Sequence, residues 1–150
     1  MKVVQPICRC LVAFSLLVST TVKSAEPALS NFIVNKTVNV EALTQEELSQ
    51  IFRFQVRMWP NTSKIVVVLP PIESFSFRNL ATNELGINSA AYYEIVNQVA
   101  KEYVKNGSLI FAPSDAFVVV KVSQTPGSIG YYPDAFTINP GFAIRILHIH

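Results

Sequence analysis

Ser74, Ser76 and Arg78 stand together after an apolar run, Ile65 to Val68, and at the start of a stretch with helical spacing, Phe77 to Leu85. Hydroxyls ahead of a helix whose first N–H groups are free, with a cation in its first turn, suit a small oxyanion such as phosphate or sulfate. The same residues also have an ordinary use, with Ser76 as an N-cap and Arg78 as a surface charge. A second group is Thr125-Pro126-Gly127-Ser128-Ile129-Gly130-Tyr131. Pro126 fixes φ for a turn, Gly127 permits a positive φ after it, and Gly130 removes a side chain inside a strand. That is a tight reversal with close backbone approach, and turn chemistry alone reads it as structural.

The remaining reactive residues say less. His148 and His150 fall on one face of the last strand at a spacing that can chelate a metal. They are terminal and have no third ligand nearby in the sequence, so they read as surface residues. The carboxylates sit at helix starts and on solvated faces, where capping and solubility explain them. No nucleophile–base order, paired acids or metal-ligand spacing stands out, so the sequence reads as non-catalytic and implies no cofactor or metal.

Around these residues the pattern alternates strands and helices, which predicts an α/β domain. A first strand runs from Asn31 to Val40. Thr44 and Glu47 have capping-box spacing, with Leu48, Ile51 and Phe52 following at helical intervals. Pro60 forbids continuation and makes a loop around Trp59. Lys64 to Leu69, continuously apolar at its centre, reads as a strand covered on both faces. Gly86 stops the helix Phe77 to Leu85. Asn88 or Ser89 caps a longer helix, Ala90 to Lys105, whose Tyr92, Ile95, Val96, Val99 and Tyr103 share one stripe, and Asn106-Gly107 closes it. Phe117 to Val122 stays open: three consecutive valines favour a strand, while Ser114-Asp115 is a good helix start. A short apolar segment, Ile129 to Tyr132, and a last strand, Phe142 to Ile149, complete the chain.

The N-terminus carries an address. Lys2 and Arg9, the apolar run Leu11 to Val18 and the small polar residues after it have the order of a secretory signal, with Val22 and Ser24 marking a cut before Ala25. The run is far shorter than the roughly 20 residues that span a bilayer, so no membrane anchor is expected after cleavage. The expected organisation is a signal at 1–24 and one domain at 25–150, periplasmic or secreted. The signal holds three of the 12 Lys and Arg residues and none of the 10 Asp and Glu, so the domain carries one net negative charge. The basic pI of 8.6 belongs to the precursor, and nucleic acid is set aside as a partner. Both cysteines, Cys8 and Cys10, lie in the signal, which leaves a thiol-free domain without disulfides.

The Thr-Pro-Gly-Ser-Ile-Gly-Tyr element resembles the turn and strand of the phosphate-binding proteins of periplasmic ABC importers. Three more stretches follow that family's order: Leu43 to Phe52 like its capped helix, Trp59 in the loop after it, and Ile65 to Val68 like the strand before its anion loop. Together they cover about Phe32 to Tyr132. The resemblance implies a single type 2 periplasmic-binding-protein-like lobe, a mixed sheet flanked by helices, and a helix over Ser114 to Gln124. The family's Arg-x-Asp-x-Ser-Gly-Thr loop corresponds here to Leu69-Pro70-Pro71-Ile72-Glu73-Ser74-Phe75-Ser76. Ser74 and Ser76 match its hydroxyl positions, whereas the Arg, Asp and Gly positions hold apolar or acidic residues and Glu73 repels a dianion. The full-length proteins close two lobes on the ligand, and this chain has residues for one. Two expectations follow. One is an exported solute-binding-like domain that recognises phosphate or a similar oxyanion for transport or sensing, at Ser74, Ser76 and Arg78. The other is a non-catalytic module that kept the fold, lost the ligand, and docks on another envelope protein or on itself.

Overall fold

The first helix begins where the local chemistry requires. Thr44 has an extended backbone, its hydroxyl accepts the Glu47 N–H at 3.2 Å, and the Glu47 carboxylate accepts the Thr44 N–H at 2.8 Å. These reciprocal bonds satisfy donors that no helical carbonyl can reach. The computed structural model describes residues 29–150; the expected signal, its cut before Ala25, Cys8 and Cys10 lie outside the described residues. The elements in chain order are β1 (Leu29–Asn35), β2 (Ala42–Leu43), α1 (Gln45–Phe52), β3 (Val66–Leu69), α2 (Phe75–Asn79), a π-helical turn (Leu80–Glu84), α3 (Ser89–Lys105), β4 (Leu109–Phe111), α4 (Asp115–Gln124), β5 (Ser128–Tyr131), a 3-10 turn (Ala135–Thr137) and β6 (Ile144–Ile149).

The strands form one six-stranded mixed sheet in the order β2-β6-β1-β5-β3-β4. β3 runs parallel to β4 and β5, and β2 runs parallel to β6. β1 lies between β5 and β6 and is antiparallel to both. Strand alternation sends Phe32, Val34, Val67, Leu69 and Ile129 to one face, where they pack with Leu48, Phe52, Phe77 and Tyr92 of α1, α2 and α3. Ile33 and Val68 point to the other face, into a smaller cluster with Val118, Val119 and Val122 of α4. All four residues of β3 are buried, as its unbroken apolar run predicts for a strand covered on both sides.

Three expectations need correction. β1 ends at Asn35 rather than Val40, because the Asn35 carboxamide accepts the Thr37 N–H at 3.0 Å and turns the chain. The same side chain donates to the Val122 and Ser123 carbonyls at 2.8 and 3.0 Å, tying the turn to the end of α4. The helix expected over Phe77 to Leu85 starts earlier, at Phe75, and changes from α to π geometry at Leu80. The segment left open at Phe117 to Val122 is helix α4, as the resemblance implied. The last strand starts at Ile144 rather than Phe142. Two short strands, β2 and β4, have no counterpart in the sequence reading. Among the described residues no helix is long and apolar enough to cross a membrane.

Candidate functional site

In sheets of this kind ligands lie beyond the carboxyl ends of parallel strands, which here are the segments following β3, β4 and β5. Ser74 lies after β3 and caps α2: its backbone is extended and its hydroxyl accepts the Phe77 N–H at 3.1 Å. The N-cap expected at Ser76 is therefore at Ser74, since a cap needs non-helical backbone and Ser76 is inside the helix. Ser76 is 1% exposed and points inward, donating its hydroxyl to Asp115 Oδ2 at 2.7 Å. Asp115 belongs to the first turn of α4, and its Oδ1 is buried without a hydrogen-bond partner. Arg78 is exposed and donates from Nη1 to the Glu73 carbonyl at 2.9 Å, folding back on its own loop. The structure thus places Ser74, Ser76 and Arg78 on one short helix, each engaged with a protein group. An acidic side chain joins them that the sequence reading treated only as part of a helix start.

The Thr125–Tyr131 element is a clasp. Gly127 has φ +74 and donates its N–H to Thr37 Oγ1 at 3.0 Å. Its carbonyl accepts the buried Trp59 indole N–H at 2.8 Å. A Cβ at this position would lie 2.5 Å from the Lys64 carbonyl oxygen, so both the dihedral and the space require glycine. Ser128, fully buried, donates to the carbonyls of Thr125 and Val122 at 2.7 and 3.1 Å, and Thr125 itself closes α4 while Pro126 is exposed in the turn. Gly130 lets α4 approach β5. Trp59, met in the sequence only as part of a loop, is the far half of this clasp.

Tyr131 closes the motif at the carboxyl edge. Its phenol accepts a hydrogen bond from Asn79, which in turn accepts one from Asn83. Burial pushes the phenol pKa up to about 12. In the same core cluster, Tyr92 donates to the Phe52 carbonyl at 3.0 Å, and burial likewise raises its pKa above the ordinary tyrosine range. Phe75 and Phe136 are more than two-thirds exposed and Phe117 is nearly half exposed. Each lies in a segment that follows one of the parallel strands β3, β4 and β5. His148 is in β6 and His150 just beyond it, and among the described residues no group of three or more His, Cys, Asp or Glu gathers.

Comparison with solved structures gives a consistent partner for this architecture. A Clostridium perfringens structure with bound phosphate, assigned as a phosphate ABC transporter substrate-binding protein, superposes with a TM-score of 0.60 at 15% identity. It matches over 79% of this chain and 44% of that one. An ABC-type phosphate transport receptor from Vibrio cholerae gives 0.55 at 17% identity, over 79% and 45%. A phosphate-binding protein from Stenotrophomonas maltophilia gives 0.55 at 15%, over 79% and 38%. The chain has a periplasmic-binding-protein-like fold. It spans less than half the length of each of these proteins. No family model and no curated protein matches the chain. The likeness concerns the mixed sheet and its helices; at these identities it carries no ligand across.

Proposed function

We propose that this chain is an exported, non-catalytic solute-binding-protein-like domain that acts by contact with another protein surface rather than by capturing a free oxyanion. One observation carries the reading: the hydroxyl that would face an anion, that of Ser76, is buried and donates to the Asp115 carboxylate. A phosphate there would lose that donor and meet a negative charge at close range in a partly desolvated setting. Export rests on the Met1–Ser24 pattern. Titration calorimetry and thermal shift with phosphate and with sulfate test the reading. The expected result at millimolar ligand is no saturable heat and no shift; saturable heat at micromolar concentration overturns it.

A second reading, recognition of phosphate or a related oxyanion for transport or sensing, draws on the phosphate-linked neighbours and on the exposed Arg78 beside Ser74. Under it, heat is measured with the parent chain and is abolished by Arg78→Ala.

A further inference from the structure

We propose that the loop from Arg57 to Ile65 and the last turns of α3 form a surface that docks the chain peripherally on a bilayer rich in anionic phospholipid. The inference goes beyond the contact reading and takes from it only export, which brings the chain to the outer face of a membrane. β3 and β4 run parallel, so the residues that lead into them share one edge of the sheet, opposite the carboxyl edge. Arg57 and Lys64 lie ahead of β3, Lys101 and Lys105 ahead of β4, and all four are exposed. The two segments touch. Lys64 Nζ donates to the Asn106 carbonyl at 2.8 Å, and the Arg57 guanidinium lies 5.0 Å from the centre of the Tyr103 ring. Glu102 is the one carboxylate in these segments, and Arg57 sits 3.8 Å from it. Among the cations stand Met58, 51% exposed, and Val104, 49% exposed.

Cations on long stems, set among exposed aliphatic side chains, match a lipid interface: the charged heads meet headgroup phosphates while the apolar groups enter the acyl boundary. A strongly acidic polymer answers the cations alone and offers Met58 and Val104 nothing. The near-neutral total charge of the domain does not oppose docking, because the signs are separated. Glu73, Asp115 and Asp134 follow β3, β4 and β5, at the other edge. β3 has four residues and spans about 13 Å, more than the Debye length of about 8 Å at physiological salt. A surface beneath the basic edge therefore feels the lysines and not the distant carboxylates.

Co-sedimentation of the exported, processed chain with vesicles tests the docking. The vesicles are phosphatidylcholine alone, or phosphatidylcholine with one-third phosphatidylglycerol. The expected result is retention on the phosphatidylglycerol vesicles only, weakened by salt. Each basic residue near an anionic leaflet is worth about fivefold in partitioning, so Lys101→Gln with Lys105→Gln lowers it about 25-fold. Met58→Ser with Val104→Ser lowers it about fourfold or more, through lost apolar contact. Circular dichroism of both variants matches the parent. Equal retention on the two vesicle types overturns the inference, as does retention unchanged by the lysine pair. Soluble poly-glutamate is the competing probe: if it binds as tightly as the vesicles and the serine pair changes neither, the surface takes an acidic protein and the lipid assignment is wrong. None of these results bears on the calorimetric test of the carboxyl edge, so the two readings fail separately.

Discussion

Replacing Gly130 with alanine tests whether the distance between β5 and α4 is set by the missing side chain. A Cβ at this position would lie 2.8 Å from Val118 Cγ1, 2.8 Å from Val122 Cγ2 and 3.4 Å from the Val68 carbonyl oxygen. Carbon atoms pack at about 3.5–4.0 Å, so the new methyl falls roughly 1 Å short on two sides. Neither valine can turn aside cheaply, since a β-branched side chain in a helix has one strongly preferred rotamer. α4 must lift instead, loosening Val118 and Val122 from Ile33 and Val68, all four of them fully buried. Overpacking of this kind costs about 1–3 kcal/mol, and a collision on two sides belongs at about 2–3 kcal/mol. For a domain of this length that is a fall in Tm of roughly 6–15 °C. Urea unfolding followed by circular dichroism measures it, with Val122→Ala as the second arm of a cycle. Alone, Val122→Ala costs roughly 1.5–2.5 kcal/mol through lost burial and cavity formation. Beside Gly130→Ala it costs less or restores stability, with a coupling of at least about 1 kcal/mol. If Gly130→Ala stays within about 0.5 kcal/mol of the parent and the two changes simply add, the close-approach reasoning fails.

Two further outcomes follow from the carboxyl edge. Ser76→Ala removes the donor to Asp115 and leaves the carboxylate without a partner at either oxygen, so stability falls by about 1.5–3 kcal/mol in urea titration; a neutral effect would show that the carboxylate is solvated by other means. Tyr131 has a folded pKa of about 12 against 10.0 for a free phenol. The sign is that of a raised group: its contribution is fully present below pH 10 and is lost as pH rises through 12. Ultraviolet absorbance titration of the tyrosines, parent against Tyr131→Phe, is expected to remove one transition near pH 12 and to flatten the alkaline decline in stability.

What the sequence discloses depends on how far apart the interacting groups lie. The capping box of α1 spans three residues and is readable from Thr44 and Glu47 alone. The buried strand β3 and the stripe on α3 are also local patterns, repeated often enough to stand out. α4 was ambiguous for a physical reason. Its consecutive valines suit a strand by propensity, and helix forms because Val118, Val119 and Val122 then share the face that covers Ile33 and Val68. β2 and β4, two and three residues long, carry no periodic signal. At the candidate site the types Ser74, Ser76 and Arg78 were visible, but their engagement was not. Ser76 meets Asp115 across 39 positions, and Trp59 reaches Gly127 across 68; no local pattern encodes either pair. The structure also moves the N-cap from Ser76 to Ser74, a shift of two residues that turns one hydroxyl from the helix end into the core.

The central place of β1 has a consequence for how the chain comes together. β1, the first strand among the described residues, pairs only with β5 and β6, the last two of them in chain order. Ser30 and Leu147, hydrogen-bonded neighbours in the finished sheet, are 117 positions apart. At about 5–20 residues per second, β1 waits several seconds at least without a partner. The middle of the sheet cannot assemble before β5 and β6 are available, so folding is slow for so small a domain. The middle of the sheet, unlike the β3–β4 pair, therefore stays open until β5 and β6 have been made.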